Sequence, residues 1–189
     1  ALGDYGYGYV PNALIKLHIT NETTIRRYSI GYWYKLQVLE ISNTVQTIGY
    51  SAFYRLYALR ELTIPFIGAS RTSSGKDGIL VYVLRGYDNS AGQYVAQQYY
   101  YNHDAGRIDK ASEYVPANLT TINITDATQI AVGALSNIKT LKSVTLNEHN
   151  AKSGGILSIG KYAFYALNKL EELTIPTSVS KIGEHVFEG

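Results

Sequence analysis

Four histidines, His18, His103, His149 and His185, are the side chains here best suited to bind a metal or move a proton near neutral pH. They fall at unrelated positions, and none lies in an HExxH or comparable ligand spacing. Cysteine is absent, which removes thiolate nucleophiles, disulfides and the usual structural zinc sites together. The run from Asn102 to Asp109 offers oxygen donors but lacks the alternating carboxylates and closing Glu that a hard cation needs, so it reads as a turn. Serine is plentiful, yet there is no GxSxG elbow, phosphate-binding loop or GxGxxG, and GYGYVP near the start is not followed by a helix signal. Neither a catalytic constellation nor a cofactor is expected, and the chain reads as non-enzymatic. Sequons at Asn21, Asn118 and Asn123 would carry glycans only in a glycosylating source.

The abundant chemistry is aromatic: 18 tyrosines stand against 4 Phe and 1 Trp. Tyrosine combines apolar area with a polar tip, which suits partly wet contact surfaces. Tyr5, Tyr7 and Tyr9 lie near the start, and Tyr50, Tyr54, Tyr57, Tyr162 and Tyr165 recur in related segments. Tyr82, Tyr87, Tyr94, Tyr99, Tyr100, Tyr101 and Tyr114 crowd the middle. A ligand or inter-subunit surface is expected around QQYYYNH, with Tyr87, Tyr94, Tyr99, Tyr100, Tyr101 and His103 as its binding residues. The alternative is that these tyrosines only cover a flank of the fold.

The elements that would position them follow from internal repetition. Residues 48–65, IGYSAFYRLYALRELTIP, align without gaps to residues 159–176, IGKYAFYALNKLEELTIP, with 12 of 18 identical. VPNALIKLHIT from Val10 likewise echoes VPANLTTINIT from Val115. The two halves are offset by 105 residues upstream and 111 downstream, and one insertion near His149 to Gly155 accounts for the difference. A shorter period runs inside each half, through Leu14, Leu36 and Leu59 and then Leu119, Leu141 and Leu170, with spacings of 22 or 23 where no insertion intervenes. Each of these leucines opens a pattern L-x-x-(L/I/V)-x-(I/L), whose alternation predicts a half-buried strand. Ala52, Phe53, Leu56 and Leu59 follow at helical spacing, so a short helix or 3₁₀ turn is expected on the other side.

One turn of this length cannot bury its own apolar face, so turns must stack and share a sheet. The predicted fold is an α/β repeat solenoid: a first module over 1–68, an irregular Tyr-rich junction over 69–113 with weak strand character in GILVYVL, and a second module over 114–189 with an incomplete last turn. The strand residues expected to face outward are Lys16, His18, Thr20, Val38, Glu40, Ser42, Glu61, Thr63, Pro65, Thr121, Asn123, Thr125, Ser143, Thr145, Asn147, Glu172, Thr174 and Pro176. This ladder lacks the Tyr, Trp and Arg anchors of a typical binding hot spot.

The pattern IGxxAFxxLxxLxxLTIPxSVxxIGxxxF, seen from Ile159 to Phe187, resembles the BspA-like leucine-rich repeats, also called the Treponema pallidum type, of bacterial surface proteins and some parasitic protists. Repeats of that family carry Cys where Leu56 and Leu167 stand here, a change that keeps the core apolar. The resemblance implies a right-handed solenoid in a secreted or cell-surface anchored protein that acts in adhesion, with a host or neighbouring-cell surface protein or a matrix protein as partner.

Composition is consistent with this. With 46% apolar and 17% charged residues the chain is globular, and 17 Lys plus Arg against 15 Asp plus Glu gives a net charge of +2 with no long run of one sign, so neither nucleic acid nor a membrane is an expected partner. The sequence lacks an initiator Met and a leader pattern at its start, and reads as a piece of a longer chain. Two other functions remain open at this point: head-to-tail self-association through the solenoid ends into a surface filament, and carbohydrate binding by the Tyr-rich segment.

Overall fold

A computed structural model describes residues 13–86, 92–146 and 155–189. Strands Lys16–Ile19, Val38–Ile41, Glu61–Ile64, Thr121–Ile124, Ser143–Leu146 and Glu172–Thr174 form one parallel six-stranded sheet in chain order. Each strand begins two residues after a repeat leucine, so the leucine period sets the register. Leu17, Leu39, Leu62, Ile122, Val144 and Leu173 form one row across the sheet. Inside that row Leu39, Leu62, Ile122 and Val144 are fully buried, each stabilising the stack by roughly 1.5 to 3 kcal/mol. Strand Glu61–Ile64 pairs directly with Thr121–Ile124. The sheet therefore runs unbroken across the intervening residues, and the two modules are one continuous stack.

The outward ladder is as the alternation predicts over the strands, with two corrections: Pro65 and Pro176 are buried. Alternation ends where the strand ends. After Ile64 the chain bends inward through Phe66 and Ile67, both buried, and carries Pro65 with it. Asn147 lies outside the described residues.

On the opposite side, of the short helix or 3₁₀ turn expected, it is the turn that forms, closed by bonds such as Ala52 N–H to the Gly49 carbonyl at 3.1 Å and joined by two-residue parallel strands, such as Thr24–Ile25 against Thr47–Ile48 and Ile30–Gly31 against Phe53–Tyr54. The cause is a pair of left-handed residues spaced four apart in each half-turn: Tyr28 and Tyr32, Ser51 and Arg55, Gly133 and Asn137, Tyr162 and Ala166. A positive φ at every fourth residue interrupts a right-handed helix each time one would form. Ala52, Phe53, Leu56 and Leu59 are all buried, with Ala52 and Leu59 each donating to the carbonyl three residues earlier rather than continuing into a longer helix.

The described residues of the segment expected to be an irregular junction form regular elements. It contains a 3₁₀ turn at Gly75–Gly78, a single helical turn at Leu80–Val83, and an antiparallel hairpin of two ten-residue strands, Gln93–Asn102 and Arg107–Pro116. The 113/114 boundary thus falls within a strand. GILVYVL is helical at its centre rather than extended, because Ile79, Leu80, Val81, Val83 and Leu84 are all buried and need apolar contacts on more than the two faces of a strand. Backbone bonds from Ser51 to Tyr82 and from Leu80 to Ala134 place this segment between the half-turns of the two modules, where it fills one position of the stack.

Candidate functional site

Among the described residues the hairpin is the longest departure from the repeat, and its docking is specific. Gln98 is fully buried; its side-chain oxygen accepts from the Val81 N–H at 2.7 Å and its amide donates to the Ala134 carbonyl at 2.9 Å. The Tyr99 N–H donates to Ser136 Oγ at 2.8 Å, and Asn137 Nδ2 donates to the Gln97 carbonyl at 2.8 Å. These bonds satisfy polar groups that would otherwise be costly to bury. Gly133 makes the approach possible, since a Cβ there would overlap the Tyr99 carbonyl. At the matching first-module position, 105 residues earlier, stands Tyr28.

The expected binding residues are not brought together on one surface. Along strand Gln93–Asn102, Ala96 and Gln98 point into the solenoid, and Tyr94 and Tyr100 share their side of the strand and are partly buried. Burial pushes the Tyr94 hydroxyl pKa up, opposed by the nearby Thr140 side chain and the Lys139 and Thr140 backbone. Neither the Tyr94 nor the Thr140 hydroxyl reaches normal hydrogen-bond geometry. Tyr99 faces the second module. Tyr101 is exposed near the hairpin turn, edge-on to His103 at 5.0 Å, while His103 Nε2 lies 3.0 Å from Ser74 Oγ. Asn102 closes the turn by accepting from the Asp104 and Ala105 N–H groups. It also donates to Asp109, which with Arg107 holds the Asp109 carboxyl below the usual range. Tyr87 lies outside the described residues, as do Tyr5, Tyr7, Tyr9 and His149.

The half-turn tyrosines, for which covering a flank is one of the two readings of the sequence, pack into an aromatic cluster in each module whose partners are not legible in the sequence. Tyr99 stacks on Tyr162 at 4.9 Å, Tyr162 on His185 at 5.1 Å, and Tyr165 meets Tyr99 and Tyr162 edge-on. In the first module Tyr32 packs edge-on against Tyr54 and Tyr34, and Tyr28 against Tyr54. Cations lie over these rings: Arg27 on Tyr28, Arg55 on Tyr32 and Tyr54, Arg85 on Tyr50, Lys110 on Tyr99 and Lys161 on Tyr162, all at 5.1 to 5.3 Å. Burial, opposed by Arg55, raises the Tyr54 pKa to about 12. The repeat pairs Tyr54 with Tyr165 and Tyr34 with Tyr57, but Tyr28, Tyr32, Tyr99 and Tyr162 have no tyrosine at the matching position, so spacing alone does not show that they cluster.

Parallel strands at one strand per turn, with turns on the reverse side, define a leucine-rich repeat solenoid. The chain belongs to the BspA type leucine rich repeat region family, whose model matches six copies over residues 5–72 and 108–189. Those spans flank the hairpin's first strand and the helical turn. Among solved structures, the chain is similar to a leucine rich cell surface protein of Faecalibacterium prausnitzii A2-165, with 19% identity, 93% of this chain and 45% of that one covered, and a TM-score of 0.35. It is also similar to the pneumococcal vaccine antigen PcpA, with 18% identity, 87% and 47% covered, and a TM-score of 0.33. The chain spans less than half the length of each. No curated protein matches the sequence. No helix among the described residues is long and apolar enough to cross a membrane.

Proposed function

We propose that the chain is a non-enzymatic, extracellular or cell-surface module that binds a protein of a host or neighbouring cell or of its matrix, through the inserted hairpin. The observation that carries this reading is the pairing of a rigid base with an exposed tip. The hairpin is anchored by buried Gln98, yet at its turn presents Tyr101 at 37% exposure with exposed His103 beside it. Rigid aromatic side chains on a fixed scaffold lose little entropy on binding, which is what a hot spot needs. The front sheet offers Thr, Ser, Asn and Glu instead, tied in pairs such as Lys16 to Glu40 at 2.6 Å, and supplies no comparable anchor.

The test is adherence of the purified chain to a cell-derived extracellular matrix, compared with a Tyr101→Ser/His103→Ser variant. Weakened adherence with unchanged circular dichroism supports the hairpin; equal adherence moves the site elsewhere. A second reading, end-to-end self-association, is favoured by Ile175, Ile182 and Phe187, which are 36%, 51% and 53% exposed on the last turn. That surface would suit either a further turn or another copy. Light scattering that stays monomeric across a wide concentration range counts against association.

A further inference from the structure

A groove of about 660 Å³ crosses the first module on the side away from the six-stranded sheet, and its chemistry differs from that of the hairpin. Arg26, Arg27, Thr24, Thr47, Tyr50 and Tyr82 line it over a floor of Ile25, Ile48 and Gly49, and its lining holds two arginines and no carboxylate. The floor is flat because a Cβ on Gly49 would collide with the Arg27 backbone nitrogen, so the arginine-bearing chain lies directly against it. Arg26, Arg27, Thr24 and Thr47 are exposed. Thr24 and Thr47 hydroxyls sit 3.1 Å apart on paired strands. Tyr50 and Tyr82 meet edge-on at 5.5 Å on the other wall, with Arg85 over Tyr50 at 5.2 Å.

The repeat supplies an internal control. At the positions 105 residues on, Arg26 and Arg27 become Ala131 and Val132, and 111 residues beyond Tyr50 stands Lys161. The fold is built equally well there without the two arginines, so solenoid stacking does not require them. Both arginine side chains are exposed, Arg27 with its guanidinium 5.2 Å over the Tyr28 ring at the edge of the groove.

We propose that this groove binds an acidic polysaccharide, with Arg26 and Arg27 meeting its sulfate or carboxylate groups. Guanidinium groups pair with such anions in forked geometry. Tyrosine walls suit the apolar faces of sugar rings, and the Thr24 and Thr47 hydroxyls suit their hydroxyls. An acidic peptide would satisfy the arginines alone and leave the threonine pair and tyrosine wall without a role, which is why the sugar is favoured.

The experiment measures binding of the full chain to heparin, with neutral dextran and polyglutamate as comparison probes. Heparin is expected to bind, to weaken steeply as salt rises, and to exceed both comparison probes. The Arg26→Ala/Arg27→Ala variant is expected to lose at least about tenfold in affinity, and Thr47→Glu, which places a carboxylate in the groove at an exposed position, to lose at least as much. Tyr101→Ser/His103→Ser is expected to bind heparin normally, which separates this site from the hairpin. Heparin binding no better than dextran, or unchanged in both groove variants, overturns the proposal; polyglutamate binding as well as heparin overturns the assignment to a sugar.

Discussion

The ring of Tyr99, on the inserted hairpin, stacks on the ring of Tyr162 in the second module with centroids 4.9 Å apart and planes inclined by 29°. This contact, with Lys110 above Tyr99 and His185 behind Tyr162, ties the hairpin to the turn next to the one that carries its hydrogen bonds. A double-mutant cycle of Tyr99→Ala and Tyr162→Ala should give a coupling of about 0.5 to 1.5 kcal/mol in urea unfolding. Strict additivity would mean that the rings meet without stabilising each other. For the same reason, replacing Tyr99, Tyr100 and Tyr101 together would disturb the fold as well as any binding surface.

Gly133→Ala is expected to destabilise by at least about 1 kcal/mol, because the residue adopts a left-handed conformation, with φ of 66°, and a Cβ would overlap the Tyr99 carbonyl. The hairpin should also become more susceptible to limited proteolysis than the six-stranded sheet. Cleavage no faster than in the parent chain would show that the hairpin is held by other contacts.

Arg71 and Asp126 form an ion pair, with Nε donating to Oδ2 at 2.7 Å, and the Asp126 side chain is only 4% exposed. Arg71 also donates to the Asn43 carbonyl at 2.9 Å, so one side chain joins the first module, the inserted segment and the second module. Arg71→Ala should cost about 3 kcal/mol in denaturant unfolding, because it removes one partner from a buried pair. Arg71→Met/Asp126→Leu should cost much less, since both charges leave together. Equal costs would argue that packing of the Arg71 guanidinium over the Phe66 ring, 5.5 Å from its centroid, is what matters.

Burial raises the Tyr54 pKa from 10.0 to about 12. The folded state therefore holds this proton more tightly than the unfolded state, and the associated stability is complete below pH 10 and lost as pH rises through about 12. The difference in stability between the parent chain and Tyr54→Phe should shrink over that interval. Ultraviolet titration should show one tyrosinate fewer forming at the alkaline extreme in the variant; a constant stability difference would mean that the hydroxyl titrates normally.

The strands were legible because a single physical demand, a leucine two residues ahead of each buried alternating segment, recurs six times. The half-turns were not, since the apolar spacing of Ala52, Phe53, Leu56 and Leu59 satisfies a helix and a run of tight turns alike. Only the left-handed residues decide between them, and apart from Gly133 the paired ones are not glycine but residues such as Tyr28, Tyr32, Arg55 and Tyr162. The hairpin was hidden because its buried side includes Gln98, a polar residue whose partners, Val81 and Ala134, lie in other turns. The candidate binding residues share one segment of sequence, but alternation along the strand divides those described, with Tyr94 and Tyr100 on the inward side and Tyr101 near the exposed tip.

The most direct measurement is adherence to cell-derived extracellular matrix of three chains: the parent, Tyr101→Ser/His103→Ser, and Lys142→Ala, which removes an exposed cation near the six-stranded sheet. The hairpin variant is expected to lose about tenfold in apparent affinity, the scale of one hot-spot contact, while its melting temperature and circular dichroism match the parent and Lys142→Ala adheres normally. Equal adherence by the hairpin variant and the parent would contradict the assignment of binding to the hairpin.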